Sequence, residues 1–258
     1  MADVPVHEVA ATGFDSGAEV YEQARPSYPP DAVAWLVEHL RVIPGARVAD
    51  VAAGTGKLTR LLTPSRAALV GVEPVPGMRA SFAAMCPGVP LVASTAEQLP
   101  LAGATLDAIT VAQGFHWFDA PVALTEFARV LRPGGRLGLI WNARDRTNDL
   151  VDQLWSIMDR VEKRAPWRIH ERWSDSALEE HPAFTDLVEA TFHHEQLLTR
   201  DQVLARFRSV SHIAVLPPDV QEAVIDEICR VLDTHPLAVG KDLVAIPYRV
   251  DAYWCERR

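Results

Sequence analysis

Long apolar runs, paired cysteines and an excess of positive charge are all missing from this chain. No stretch approaches the roughly 18 consecutive apolar residues of a transmembrane helix, so no membrane span is expected. Only three cysteines occur in 258 residues: Cys86, Cys229 and Cys255. They stand far apart and without CxxC spacing, which argues against a disulfide framework and a cysteine zinc site. His193-His194 and His212 lack ligand spacing too, so no metal is expected. The opening MADVPVHEVA has no basic start followed by an apolar core, and no signal peptide is read. With reduced cysteines, this points to the cytoplasm. The net charge is -9 and the pI about 5.5. An acidic surface disfavours non-specific nucleic-acid binding, and no nucleic-acid partner is expected. Internal repeats and low-complexity tracts are absent as well.

What is present is ordinary globular composition, 48% hydrophobic and 23% charged. The length suits one α/β domain carrying insertions or a small cap. In 14–30, Tyr21, Arg25 and Tyr28 stand beside Pro26, Pro29 and Pro30, which fix an extended lead into a helix starting near Asp31. Val33, Leu36, Val37 and Leu40 give that helix one apolar face. Strands are predicted at Val48–Val51, Ala68–Glu73, Val89–Ala93, Leu106–Val111 and Arg136–Trp141. Helices follow from Lys57, over Val75–Met85 and over Pro121–Leu131, the last stopped by Pro133-Gly134-Gly135. This alternation predicts a parallel sheet with right-handed crossovers. Beyond it, Asp149–Lys163 is amphipathic, Thr191–Thr199 alternates, 200–235 reads as two helices split at Pro217-Pro218, and Leu243–Trp254 reads as a strand. Two late strands predict an antiparallel edge. Helical insertions at about 144–180 and 200–240 would then cover a site.

Everything can be placed relative to RVADVAAGTGKLTR, residues 47–60. A strand breaks into Ala52-Ala53-Gly54-Thr55-Gly56, and a helix starts at Lys57. Such a turn presents backbone N–H groups to a ligand. A P-loop needs glycine where Val51 stands and Ser or Thr at Leu58, and that reading fails. The dinucleotide fingerprint needs a third glycine at Thr59, and that reading weakens. Asp50-x-Ala52-x-Gly54-x-Gly56 remains.

That pattern resembles motif I of the Rossmann-like S-adenosylmethionine-dependent methyltransferases, with Ala52 where glycine is usual. The resemblance runs from Phe14 to about Asp145. It implies a seven-stranded, mostly parallel sheet with helices on both faces, S-adenosyl-L-methionine as cofactor and S-adenosyl-L-homocysteine as product. Asp50, Ala52, Gly54 and Gly56 would hold the methionine end, and Glu73 the ribose hydroxyls. Ser94 to Pro100 resembles the adenine loop, with Thr95, Ala96 and Glu97 at the base. Gln113, past the fourth strand, would lie under the methionine portion. Arg129 to Gly135 is similar to the turn before the fifth strand.

Tyr21-x-x-x-Arg25-Pro26-x-Tyr28-Pro29, Phe115-His116-Trp117-Phe118-Asp119 and Trp141-Asn142-x-Arg144-Asp145 look like small-molecule methyltransferases related to those of trans-aconitate and fatty-acid carboxylates. Residues 1–30 would then fold over the cofactor, Arg25 pairing with its carboxylate and Tyr21 or Tyr28 walling the sulfonium. Tyr28, Trp117 and Trp141 would touch a small-molecule acceptor. Trp117 would bind a carboxylate through its indole N–H. His116 would face the substrate or act as general base for an O- or N-acceptor; a carboxylate needs none. A cofactor-binding fold that transfers no methyl group is the remaining reading. Arg160, Lys163, Arg164, Arg168 and Arg172 form a basic cluster with Trp155, Trp167 and Trp173 close by. The chain is expected as a monomer or homodimer.

Overall fold

The computed structural model describes residues 25–162, 178–208, 210, 213 and 216–258. The predicted alternation is the observed one. In order come α1 (Pro30–His39), β1 (Arg47–Val51), α2 (Lys57–Leu62), β2 (Ala68–Val72), α3 (Pro76–Met85), β3 (Leu91–Val92), β4 (Leu106–Ala112), α4 (Ala120–Val130) and β5 (Leu131–Arg144). Then follow α5 (Asp149–Glu162), β6 (Val188–Leu198), α6 (Arg200–Arg208), α7 (Pro218–Thr234) and β7 (Val244–Glu256). Prolines at the first turns of α1, α3, α4 and α7 lack only an N–H that the first turn leaves unpaired anyway.

One seven-stranded sheet runs β3-β2-β1-β4-β5-β7-β6. The first five strands are mutually parallel, and β7 is antiparallel to both β5 and β6. The antiparallel edge is thus a pair, with β7 threaded between β5 and the outermost β6. Side-chain alternation sends β1, β4 and β5 into two cores. Val48, Ala108 and Ile140 join Leu36, Leu58 and Leu62 under α1 and α2. Ala49, Val51, Ile109, Val111, Leu137 and Leu139 pack on Ala123, Leu124, Phe127 and Val130 of α4.

β5 is longer than expected at both ends. Pro133-Gly134-Gly135 does stop α4, but the chain pairs on through an irregularity between Leu106 and Ala108, with Gly134 at φ 73°. At the far end pairing with β7 continues to Arg144. Residues 244–247 of β7 and 195–198 of β6 extend further still. On these projecting ends stands a third apolar core. It joins Leu154, Trp155 and Met158 of α5, Phe207 of α6 and Ile225 and Ile228 of α7 to Leu198, Val244, Ile246 and Tyr248. His235 Nε2 lies 2.9 Å from Asp149 Oδ2 and ties the end of α7 to the start of α5. Of the basic and aromatic cluster, Lys163, Arg164, Trp167, Arg168, Arg172 and Trp173 lie outside the described residues.

Candidate functional site

The glycine turn is built from left-handed backbone. Ala52, Gly54 and Gly56 have φ of 55°, 57° and 83°. At Gly54 nothing lies within 4 Å of where a Cβ would stand, so the turn is open on that side. Gly56 is closed: a Cβ there would meet Cys86 Sγ at 2.3 Å. Ala52 accepts a conformation that costs an L-residue roughly 1 kcal/mol. Its methyl fills the place where a side chain on Gly114 would begin, 2.8 Å from an ideal Cβ. The extra methyl of Ala52 is therefore matched by a glycine across the turn, a pairing the sequence reading missed.

Asp50 points down beneath the turn. Its carboxylate accepts from Thr59 Oγ1 (2.5 Å) and Thr110 Oγ1 (2.8 Å) and is 1% exposed. Burial pushes its pKa up to about 6 against the pull of those hydroxyls. Glu73, at the tip of β2, accepts from Gly54 N (2.9 Å) and Val75 N (2.9 Å). Burial raises its pKa too, opposed by those two backbone donors and by Arg79. The acid and the open glycine are therefore held side by side. A cradle without side chains beside a buried carboxylate fits a ligand carrying an amino acid end and a vicinal diol.

Thr95, Ala96 and Glu97 form the loop after β3; Ala96 is buried, and Glu97 Oε1 accepts from Asp119 N (2.9 Å). Gln113 has φ 58°, and its Nε2 donates to Asn142 O at 3.5 Å. His116 and Trp117 lie in one helical turn, Phe115–Trp117, with ring centroids 4.9 Å apart. Burial, and then the Arg25 guanidinium, lower the His116 pKa to about 4. Arg25 and His116 are thus neighbours although 91 positions separate them in sequence. Tyr28 is buried in the cluster under α1. Trp141 is on the α4 face, edge-on to Tyr253 at 6.0 Å. Tyr21 lies outside the described residues.

Asn142, part of the Trp141-Asn142-x-Arg144-Asp145 motif but given no role from the sequence, is a junction. Its Nδ2 donates to Ser27 O (3.2 Å) and its Oδ1 faces His194 Nε2 (2.9 Å). It therefore links the 25–29 segment, the end of β4 and the outer strand β6. Among the described residues no group of three or more His, Cys, Asp or Glu could hold a metal ion. No described helix is long and apolar enough to cross a membrane.

Comparison with known proteins gives this geometry a context. Residues 49–139 match the family model described as a methyltransferase domain. An uncharacterised methyltransferase of Mycobacterium tuberculosis is 37% identical over 237 residues, 91% of each chain. Among solved structures, a protein of Anaeromyxobacter dehalogenans described as a type II methyltransferase superposes with a TM-score of 0.64 at 24% identity. That match covers 90% of this chain and 96% of the other. A phosphoethanolamine N-methyltransferase of Haemonchus contortus, solved with S-adenosylhomocysteine, shares the fold at a TM-score of 0.58 and 13% identity, over 99% of this chain and 60% of that one.

Proposed function

The chain belongs to the Rossmann-like S-adenosylmethionine-dependent methyltransferases, and on that footing we propose that it methylates a small organic acid at a carboxylate. Gly54 and Gly56 receive the methionine end of the cofactor, Glu73 its ribose, and Thr95, Ala96 and Glu97 its adenine. Asp50 acts from beneath, holding the turn through Thr59 and Thr110. Arg25 sits at the methionine carboxylate. The acceptor lies against His116 and Trp117, with Tyr28 and Trp141 at its margins.

The observation that carries the carboxylate reading is the pairing of His116 with Arg25. An imidazole whose pKa is about 4 is a weak base at neutral pH. It is poorly suited to strip a proton from an amine or a hydroxyl. A carboxylate arrives already ionised. Held by Gly54, Gly56 and Glu73, S-adenosylmethionine would supply an electrophilic methyl group to the carboxylate oxygen, with S-adenosylhomocysteine and an ester as products. The protein then has only to align the two reactants and exclude water. Trp117 donates its indole N–H to the acceptor, and neutral His116 flanks it without moving a proton. The helices α5, α6 and α7 close over the acceptor.

Isothermal titration with S-adenosylhomocysteine tests the cofactor site, and micromolar binding is expected. No binding at hundreds of micromolar would overturn it. Transfer from labelled S-adenosylmethionine to carboxylates, phenols and amines at pH 7 tests the acceptor. Labelled esters are the expected product; labelled ethers or methylamines alone would point to His116 as a base.

A further inference from the structure

At the projecting end of the sheet, Arg144 of β5, Tyr248 of β7 and His194 of β6 stand directly opposite one another in register. Side chains so placed share one face and begin about 5 Å apart. The row holds one cation, one phenol and one imidazole. Tyr248 is 1% exposed, yet its Oη has no hydrogen-bond partner among the described residues. Gln196, two residues beyond His194 on the same face, has a buried side-chain oxygen in the same condition. Buried hydroxyls almost always find a partner, and leaving one without carries a full desolvation cost. Here two such atoms lie on the same face of neighbouring strands.

The surroundings say what group would satisfy the phenol. The Asn142 amide is oriented by donating to Ser27 O, so its oxygen takes the proton of His194 Nε2. The His194 ring stacks on Tyr248, centroids 5.4 Å apart. Arg144 lies over the Trp155 ring at 5.5 Å, at the lip of the cap core. Burial holds the His194 pKa below the ordinary imidazole value, opposed by the field of Asp31. The row therefore sets a guanidinium beside a phenolic O–H that no described residue accepts from. The row starts on β5, the neighbour of β4, whose end carries His116 and Trp117, and runs out to β6.

We propose that Arg144 and Tyr248, steadied by His194, hold an anionic group of the acceptor other than the one that takes the methyl. This rests on the methyl-transfer reading and adds to it: the acceptor is a molecule with two acidic heads. Tyr248 Oη is closed to solvent, so the cap shifts to admit that head and the contact forms out of water, where a charge-assisted bond is strong.

The test titrates α,ω-dicarboxylates from succinate to sebacate, and monocarboxylates of equal length, into the full-length protein with and without saturating S-adenosylhomocysteine. One dicarboxylate length should bind about tenfold or more tighter than its monocarboxylate. R144M should erase that advantage and Y248F should reduce it about fivefold, with S-adenosylhomocysteine affinity unchanged within about twofold. Y248F should melt no lower than the parent, since it deletes a hydroxyl that nothing satisfies. The inference is overturned if no dicarboxylate outbinds its monocarboxylate, or if the advantage survives both substitutions. It is also overturned if Y248F lowers the melting temperature and leaves affinity alone, since the phenol then serves an internal water only. A Tyr248-dependent dicarboxylate advantage without any S-adenosylhomocysteine binding would leave this anchor standing and remove the methyl-transfer reading.

Discussion

Replacing Asp50 by Asn isolates the energetic consequence of placing an acid inside the sheet. The carboxyl is fully enclosed, and its pKa rises from 3.8 to about 6 even with two hydroxyls donating to it. A carboxyl with a higher pKa folded than unfolded holds its proton more tightly in the fold. Its cost is therefore absent below about pH 3.8, grows as the pH rises to about 6 and is constant above that. At about 1.4 kcal/mol per pH unit over that interval, the ionised form costs the fold about 3 kcal/mol near neutrality. Asparagine is isosteric and cannot ionise, and either threonine hydroxyl can rotate to accept from its amide. In cofactor-free protein D50N should melt higher than the parent at pH 7.5, by about 6–12 °C for a chain of this size. The gain should shrink steadily below pH 6 and vanish near pH 4. The assay is paired thermal unfolding of the two proteins across pH 4–8. A difference independent of pH, or a D50N melting temperature below the parent at pH 7.5, would refute the reasoning and make the carboxylate a net stabiliser.

Three further outcomes are expected. With His116 neutral above about pH 5, kcat/KM for a carboxylate acceptor should be flat between pH 6 and 8, and H116Q should retain at least about a third of the parent kcat; a limb near pH 6.5 that disappears in H116Q would contradict this. G56A places a Cβ against Cys86 Sγ at positive φ, so S-adenosylhomocysteine affinity should fall more than about tenfold and the melting point by several degrees; C86A on top should restore part of the melting point and little of the affinity, because the φ strain remains. N142A releases the 25–29 segment from the strand ends and should weaken S-adenosylhomocysteine binding about fivefold, read by calorimetry, with little change in melting temperature.

The parallel half of the sheet was legible because each strand is an apolar run ending in a turn residue, and each crossover helix shows a 3.6-residue period. The end of β5 was hidden because Pro133-Gly134-Gly135 halts a helix and also starts an irregular strand, two roles that look alike in sequence. The glycine turn and its flanking acids were readable at Asp50, Gly54, Gly56 and Glu73, since a close approach of backbone dictates the residue types. The partner of Ala52 was not, because the contact with Gly114 joins two loops across 62 positions. His193-His194 was weighed only as a metal pair. Alternation over Phe192, His194, Gln196 and Leu198 already sets His194 on the inner face and His193 on the outer, and that signal would have singled out the row with Tyr248.

The two cores that flank the parallel strands and the third core on the projecting ends of β5, β6 and β7 share few side chains. On the proposed function, the turn that would grip the cofactor and the roof that would choose the acceptor are thereby mechanically insulated. Substitutions lining α5, α6 and α7 can reshape the roof while the floor keeps its register, held by strands that do not change. Under that reading, one scaffold could serve a succession of acceptors, each selected by a few residues at the tips of three strands.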